Sequence, residues 1–159
     1  MEQNAITLQR DIETVTSEII ILKNQAQSMA IDFAIEIGGR LCEAKELVKH
    51  GEWGDWLKNK VDFSQSQANN LMKVFENRER IKGTNQMSLL PSNSQSLANL
   101  SYTKVLKLLA LPDEEIDTFV EENDVENIST RELDKLIRER DEALRQKEEA
   151  EHKAEQFAL

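Results

Sequence analysis

Glycine and proline are scarce in this chain, with five glycines and two prolines among 159 residues. Because both residues interrupt regular secondary structure, their scarcity favours long, unbroken helices. Aromatic residues make up only 5% of the chain and apolar residues 39%, while 31% are charged. These proportions predict an all-α protein with a modest core and long solvated helix faces.

Several kinds of catalytic and metal site lack the residues that they need. Cys42 is the only cysteine and has no partner for an internal disulfide, and the histidines are only His50 and His152. We expect Cys42 to be half-buried, His50 to end a helix and His152 to lie in solvent. There is no glycine-rich phosphate loop, nucleophile elbow or His-Glu-x-x-His motif. The sequence therefore predicts a protein that is not an enzyme and holds no cofactor or metal.

Long apolar runs are also missing. No stretch of about 18 apolar residues is present to span a membrane. The first residues, MEQNAITLQRDIE, are acidic and lack the basic-then-apolar order of a signal peptide. Together with the single cysteine, these features predict a cytoplasmic protein that does not enter a membrane.

The net charge of −10 opposes simple nucleic-acid binding, which depends on lysine and arginine. The charges are unevenly distributed, however. Residues 40–82 carry nine basic and seven acidic side chains, whereas residues 112–128 carry eight acidic side chains and no basic one. The acidic side chains are thus concentrated away from the segment with the clearest motif.

That motif lies in residues 52–82, which read as a short helix, a tight turn and a longer helix. Ser64 and Gln67 have the spacing of a capping box at the start of the second helix. An apolar stripe at i, i+3, i+4 and i+7 follows, formed by Ala68, Leu71, Met72 and Phe75. We expect Trp53 and Trp56 of the first helix to belong to the core. A helix–turn–helix-like core results.

The second helix of this motif has a polar outer face. Asparagine and glutamine can form two hydrogen bonds with adenine, and arginine and lysine can contact phosphates. The predicted DNA-contacting residues are Gln65, Ser66, Asn69, Asn70, Lys73, Arg78 and Arg80, with Lys82 as a further phosphate contact. The alternatives are a purely structural helical hairpin or a protein-binding face.

Residues 4–48 read as one long helix. Its first half has a 3.5-residue apolar period, typical of coiled coils, at Ile12, Val15, Ile19, Leu22, Ala26, Met29 and Phe33. The stripe then continues through Ile37, Leu41, Ala44 and Val48, and we expect Gly38 and Gly39 to weaken or bend the helix between the two parts. The pattern predicts a homodimer formed through the N-terminal helix. The alternative is that the whole helix packs on an internal core.

The remaining chain is predicted to form a linker, a small helical subdomain and a charged tail. Ser101 is a candidate N-cap, Pro112 a candidate first helical residue, and Ser129 with Glu132 a second capping box that opens the last helix at Thr130. We expect Leu89, Leu90 and Leu97 to dock the linker on the core. The predicted regions are an N-terminal helix (1–36), the helix–turn–helix-like core (37–82), the linker (83–99), the subdomain (100–138) and the tail (139–159).

An acidic surface in the subdomain supports a second functional hypothesis. The acidic side chains Asp113, Glu114, Glu115, Asp117, Glu121 and Glu122 would bind a basic partner. The protein would then be an inhibitor or adaptor acting on a host or phage nucleic-acid enzyme. A structural coiled-coil scaffold is a third possibility.

The segment from Ile37 to Trp53, with the pattern IGxxLxEAKxLVxHGEW, carries a family resemblance, together with the Phe63-Ser64-Gln65 turn. It resembles uncharacterised helical proteins encoded by phages, plasmids and integrative elements of Gram-positive bacteria. The resemblance covers about residues 30–138, and its second half is loosely similar to the region after the helix–turn–helix in ParB-type partition proteins. It implies a mobile-element context, and DNA is the partner that we predict.

Overall fold

The computed structural model describes residues 11–82, 97 and 100–157, and all regular secondary structure in them is helical. The all-α prediction is confirmed, as is the long N-terminal helix. Residues 1–10 and most of the predicted linker, including Leu89 and Leu90, lie outside the described residues. The helices in this part of the chain are α1 (Ile12–Leu47), α2 (Trp53–Trp56), a π-helical turn (Leu57–Val61), α3 (Gln65–Glu76), α4 (Arg78–Lys82), α5 (Tyr102–Leu108), α6 (Asp113–Glu122) and α7 (Thr130–Phe157).

The predicted helix starts are formed by side-chain caps. Both capping boxes are present, with the backbone N–H of Gln67 donating to Ser64 Oγ (3.1 Å) and that of Glu132 to Ser129 Oγ (3.2 Å). Ser101 caps α5 as expected. Pro112 is the N-cap of α6 and not its first helical residue, so that prediction was wrong by one position.

The core-facing side of α1 includes Leu41 of the predicted stripe but differs from the stripe further towards the N-terminus. The buried positions are Ile31, Ala34, Ile35, Gly38 and Leu41. Among the stripe residues, Met29, Phe33 and Ile37 are exposed, so the prediction that Ile37 continues the core face was wrong. At 100° per residue the core face lies about a third of a turn around the helix from the stripe. In the N-terminal half of the stripe Ile12, Ile19 and Leu22 are exposed and Val15 is half-buried, so this half of the helix does not belong to the core that the described residues form.

Gly38 and Gly39 do not end α1, which continues to Leu47. They lie where α3 crosses α1 at close range. A Cβ at Gly38 would be 2.1 Å from the carbonyl oxygen of Leu71, and one at Gly39 would be 3.0 Å from the ring of Phe75. The glycine pair therefore allows α3 to pack directly on the α1 backbone.

Two clusters of buried side chains form the core. The smaller consists of Leu41, Leu57, Ala68 and Met72. The larger draws on helices from both sides of the predicted linker and includes Ile31, Val74, Ile81, Leu97, Val105, Ile116, Val125 and Leu133. Of the predicted docking residues, Leu97 is buried. Leu71 packs against both clusters and joins them at α3.

The C-terminal helix is anchored only near its start. Leu133 is fully buried, whereas the described positions beyond Arg140 are exposed. Charged and amide side chains bind one another along this part, as when Arg145 and Gln146 both donate to Glu142. The predicted solvated helical tail is confirmed.

Candidate nucleic-acid interface

The helix–turn–helix-like unit is formed by residues 53–76. α2 runs directly into the π-helical turn, which ends at Asp62. Asp62 has a left-handed backbone conformation (φ 56°), which aspartate tolerates better than most residues and which reverses the chain before α3. Phe63 then packs against the smaller cluster, immediately before the cap residue Ser64. The turn is thus fixed by backbone geometry, an apolar anchor and a capping box.

The two tryptophans of α2 pack against the smaller core cluster. Their rings stack with centroids 5.3 Å apart and an interplanar angle of 12°. Both rings are half-buried against the cluster that contains Leu41 and Leu57, which confirms the prediction that they belong to the core. The indole N–H of Trp53 is buried and has no hydrogen-bond partner among the described residues. The stack packs against the smaller cluster beneath the turn.

Helix α3 is held by the core on two sides. The predicted stripe is confirmed, since Ala68 and Met72 are buried while Leu71 and Phe75 are half-buried. Val74 was not predicted, yet it is fully buried in the larger cluster. It follows Leu71 by three residues, a helical spacing that would have identified it. Burial on two sides fixes the rotation of α3 and therefore the side that it presents to solvent.

The solvent-facing side of α3 contains the residues expected to contact DNA. Its polar positions Gln65, Ser66, Asn69, Asn70 and Lys73 are all exposed. Within the part of the chain that the structure describes, none of these side chains forms a hydrogen bond or ion pair with the protein. Glu76 is the one exposed carboxylate of α3, and it lies in the last turn. The first two turns thus present uncharged polar groups that are available to a ligand.

The three cations after α3 have partners inside the fold. The guanidinium of Arg78 lies 4.4 Å from the centroid of the Phe75 ring and donates to the Phe75 carbonyl (3.0 Å). Arg80 forms an ion pair with Asp113, and Lys82 forms one with Asp32, both at 3.0 Å. These residues join α4 to the rest of the fold, and their assignment to phosphates stays a prediction.

Two lysines that were not predicted as DNA contacts lie closer to the turn before α3 than the cations of α4 do. Lys58 and Lys60 are exposed on the π-helical turn. Neither has an acidic partner among residues 11–82, 97 and 100–157. In helix–turn–helix proteins the first helix crosses the DNA backbone. Lys58 and Lys60 could have been predicted from the sequence, because both lie just before the turn between the two helices.

The acidic surface on α6 is partly used by the fold. Asp113 pairs with Arg80, and Glu115 contacts Arg140 of α7. The remaining predicted acids are exposed, namely Glu114, Asp117, Glu121 and Glu122.

The shifted ionisable groups have structural roles. Burial, followed by the nearby charge of Glu76, raises the pKa of the Cys42 thiol, which makes it a poorer nucleophile. Burial lowers the pKa of Lys104, whose ammonium donates to the carbonyls of Val125 (2.8 Å) and Glu126 (3.1 Å). In the described residues no group of histidine, cysteine and acidic side chains is arranged to hold a metal ion, and no helix is long and apolar enough to cross a membrane.

The fold and this site define an all-helical protein built around a helix–turn–helix-like unit with an unengaged polar face. The chain belongs to the DUF3102 family, a protein family of unknown function, which it matches over residues 10–140. The match begins well before residue 30, so the family includes most of α1 as well as the region where the resemblance was expected. Neither the curated proteins nor the solved structures contain a match to the chain.

Proposed function

We propose that the chain binds DNA through the exposed face of α3 and acts as a non-enzymatic accessory or regulatory protein of a mobile genetic element. The observation that carries the proposal is the unengaged polar face on a helix whose rotation is fixed by its own core. Asn69 and Asn70 are amide side chains of the type that reads adenine in the major groove. The mobile-element context is suggested by the sequence resemblance alone.

The charges near this face favour recognition of bases over strong attraction to the backbone. Lys73 is the only cation among the five exposed positions, and Lys58 and Lys60 provide the nearest unpaired positive charge along the chain. With three phosphate contacts in each protomer, a dimer would show a slope of about −5 in log K against log salt. The net charge of −10 opposes non-specific binding. Detectable binding is therefore expected only with a duplex that contains a preferred base sequence.

The test begins with selection from random duplexes at two salt concentrations, followed by fluorescence anisotropy with the selected duplex. We expect the combined replacement Asn69→Ala, Asn70→Ala and Lys73→Ala to abolish binding without lowering thermal stability, because all three side chains are exposed. Lys73→Ala alone should reduce the salt slope by about one per protomer.

A matched control replaces three exposed acids on α6, Glu114, Asp117 and Glu121, by alanine. This variant should keep DNA affinity or raise it slightly, since it removes negative charge. A wild-type protein that selects no duplex and shifts none at low salt would contradict the proposal.

The second candidate is an inhibitor or adaptor that uses the exposed acids of α6 against a basic protein. It is favoured by Asp117, Glu121 and Glu122, which are exposed and have no basic partner among the described residues. Replacing these acids by lysine should weaken binding to a nucleic-acid enzyme while leaving any DNA affinity unreduced. Unchanged binding would count against this candidate.

A further inference from the structure

The N-terminal half of α1 exposes an apolar stripe that the fold leaves uncovered. Five large side chains on it are more than half exposed: Ile12 (78%), Ile19 (58%), Leu22 (64%), Met29 (56%) and Phe33 (61%). At roughly 100 Å² each they expose about 500 Å² of apolar surface, near the upper end for a monomer. From Ile12 to Phe33 the stripe is about 32 Å long.

The spacing of the stripe specifies the shape of its partner. Intervals of three and four residues alternate from Ile12 to Phe33, which is the heptad period of a helix that supercoils around another helix. The a positions are Ile12, Ile19, Ala26 and Phe33, and the d positions are Val15, Leu22 and Met29. Ile12 and Ile19 at a with Leu22 at d are the combination that favours two parallel strands, whereas the remaining a and d positions do not follow it.

The charges beside the stripe distinguish the two possible orientations. The e positions hold Thr16, Lys23 and Ala30, and the g positions hold Glu18, Gln25 and Asp32. In a parallel pair, each g residue meets the e residue five positions later in the partner, which brings Glu18 to Lys23. In an antiparallel pair e faces e and g faces g, and neither set contains both an acid and a base. The charges therefore favour the parallel arrangement.

The stripe also continues onto the body of the protein. Beside Phe33 and Ile37 an apolar groove of about 350 Å³ extends to Phe63, Leu71 and Tyr102. The core face of α1, which includes Gly38, lies about a third of a turn away from the stripe. A second helix can therefore approach the stripe without meeting the side of α1 that packs on α3.

We propose that a second copy of this chain covers the stripe, with residues 12–33 of two α1 helices forming a parallel, in-register, two-stranded coiled coil joined by Glu18 and Lys23 of opposite protomers. Parallel pairing places both helix–turn–helix-like units at the same end of the coil. Only this consequence for DNA depends on the proposed function, since the pairing itself needs no DNA.

Sedimentation of the full chain tests the pairing. We expect the wild type to be a dimer at micromolar concentration. Ile19→Ser with Leu22→Ser should raise the dimer Kd by ~100-fold or more while the folded body is kept, because both residues lie outside the core clusters. The matched control is Ile20→Ser with Ile21→Ser, since these residues are equally exposed but have only polar neighbours three and four residues away. Equal loss of the dimer in both variants, a monomeric wild type or a trimer would overturn the proposal.

Disulfide cross-linking tests the orientation, with Cys42→Ala removing the native thiol. Val15→Cys and Met29→Cys lie at d positions near the two ends of the coil. Each variant should cross-link with itself in a parallel pair, where d faces d. In an antiparallel pair each d position faces an a position, so a dimer in which neither variant cross-links with itself would overturn the proposal. Ser17→Cys, at an outward f position, is the control that should not cross-link.

Exchange of charges tests the contact between protomers. Glu18→Lys and Lys23→Glu should each weaken the dimer, and the double variant should restore it. Failure of the double variant to restore the dimer would overturn the assigned pair. A parallel dimer that binds no duplex would refute the DNA proposal alone, and DNA binding by a monomer would refute the pairing alone.

Discussion

At the scale of single residues, Gly38 has the tightest surroundings of the described glycines. No side chain fits there, because a Cβ would lie 2.1 Å from the Leu71 carbonyl oxygen and 2.9 Å from Phe75 Cβ. Neither neighbour can move aside alone, since one is the backbone of α3 and the other is attached directly to it. The orientation of the candidate DNA-binding helix thus depends on a position with no side chain of its own.

Gly38→Ala should therefore destabilise the protein by about 3 kcal/mol, the usual scale for forcing extra volume into a packed contact. Urea unfolding followed by tryptophan fluorescence measures this change. Gly54→Ala is the matched control, because a Cβ at Gly54 has no neighbour within 4 Å, and it should be neutral or stabilising by up to ~1 kcal/mol. Similar losses in the two variants would show that close packing at Gly38 is not the cause.

Local signals were readable from the sequence at this scale, and contacts between distant residues were not. Ser64 and Gln67 identify the start of α3 because a capping box is formed within four consecutive residues. The requirement at Gly38 depends on Leu71, which is 33 positions away, and nothing local distinguishes a contact glycine from one that weakens a helix.

At the scale of helices, an apolar face predicted from periodicity can face either the core or solvent. α1 has two apolar faces, and periodicity alone identified the one that the chain leaves exposed. Its core face at Ile31, Ala34 and Ile35 depends on where α3 and α5 cross, which the pattern of α1 does not contain. Val74 was readable from its three-residue spacing to Leu71, but a search for a single stripe leaves out the second buried side of α3. The exposed face of the candidate site was predicted because its polar residues lie opposite both buried sides.

Helix α7 provides a prediction about pH. Hydrogen bonds from the Ser129 backbone and side chain lower the pKa of Glu132 below its ordinary value of 4.5. A carboxylate with a lowered folded-state pKa stabilises the fold above its unfolded pKa, and this contribution is lost as the pH falls through the folded value. Glu132→Gln should therefore show a smaller decrease in Tm than the wild type between pH 6 and acid, measured by circular dichroism.

The control for this prediction is Glu148→Gln, an exposed position in the solvated part of the same helix. It should reproduce the wild-type dependence of Tm on pH. If Glu132→Gln loses as much Tm in acid as the wild type does, the capping carboxylate is not the group responsible.

At the scale of the whole molecule, the larger core cluster joins elements on both sides of the predicted linker. Val74 and Ile81 come from α3 and α4, whereas Val105, Ile116 and Leu133 come from α5, α6 and α7. The ion pair between Arg80 and Asp113 connects the same two parts at the surface. Shared burial of this kind favours unfolding as one cooperative unit, with the helix–turn–helix-like unit and the acidic subdomain stabilising each other.

Ile81→Ala tests this coupling, because Ile81 is fully buried where the two parts meet. Truncating it should cost ~2–5 kcal/mol through lost burial and the cavity that remains.

Tryptophan fluorescence reports on the smaller cluster around α2, and far-UV circular dichroism reports on all helices, including α7. We expect both signals to shift to the same lower urea midpoint, while Ile20→Ala, which removes the same atoms from an exposed side chain, leaves the midpoint of the folded body nearly unchanged. If the fluorescence transition stays in place while the circular dichroism transition splits or shifts alone, the two parts are separate folding units, and the rigid placement of α3 does not depend on the subdomain.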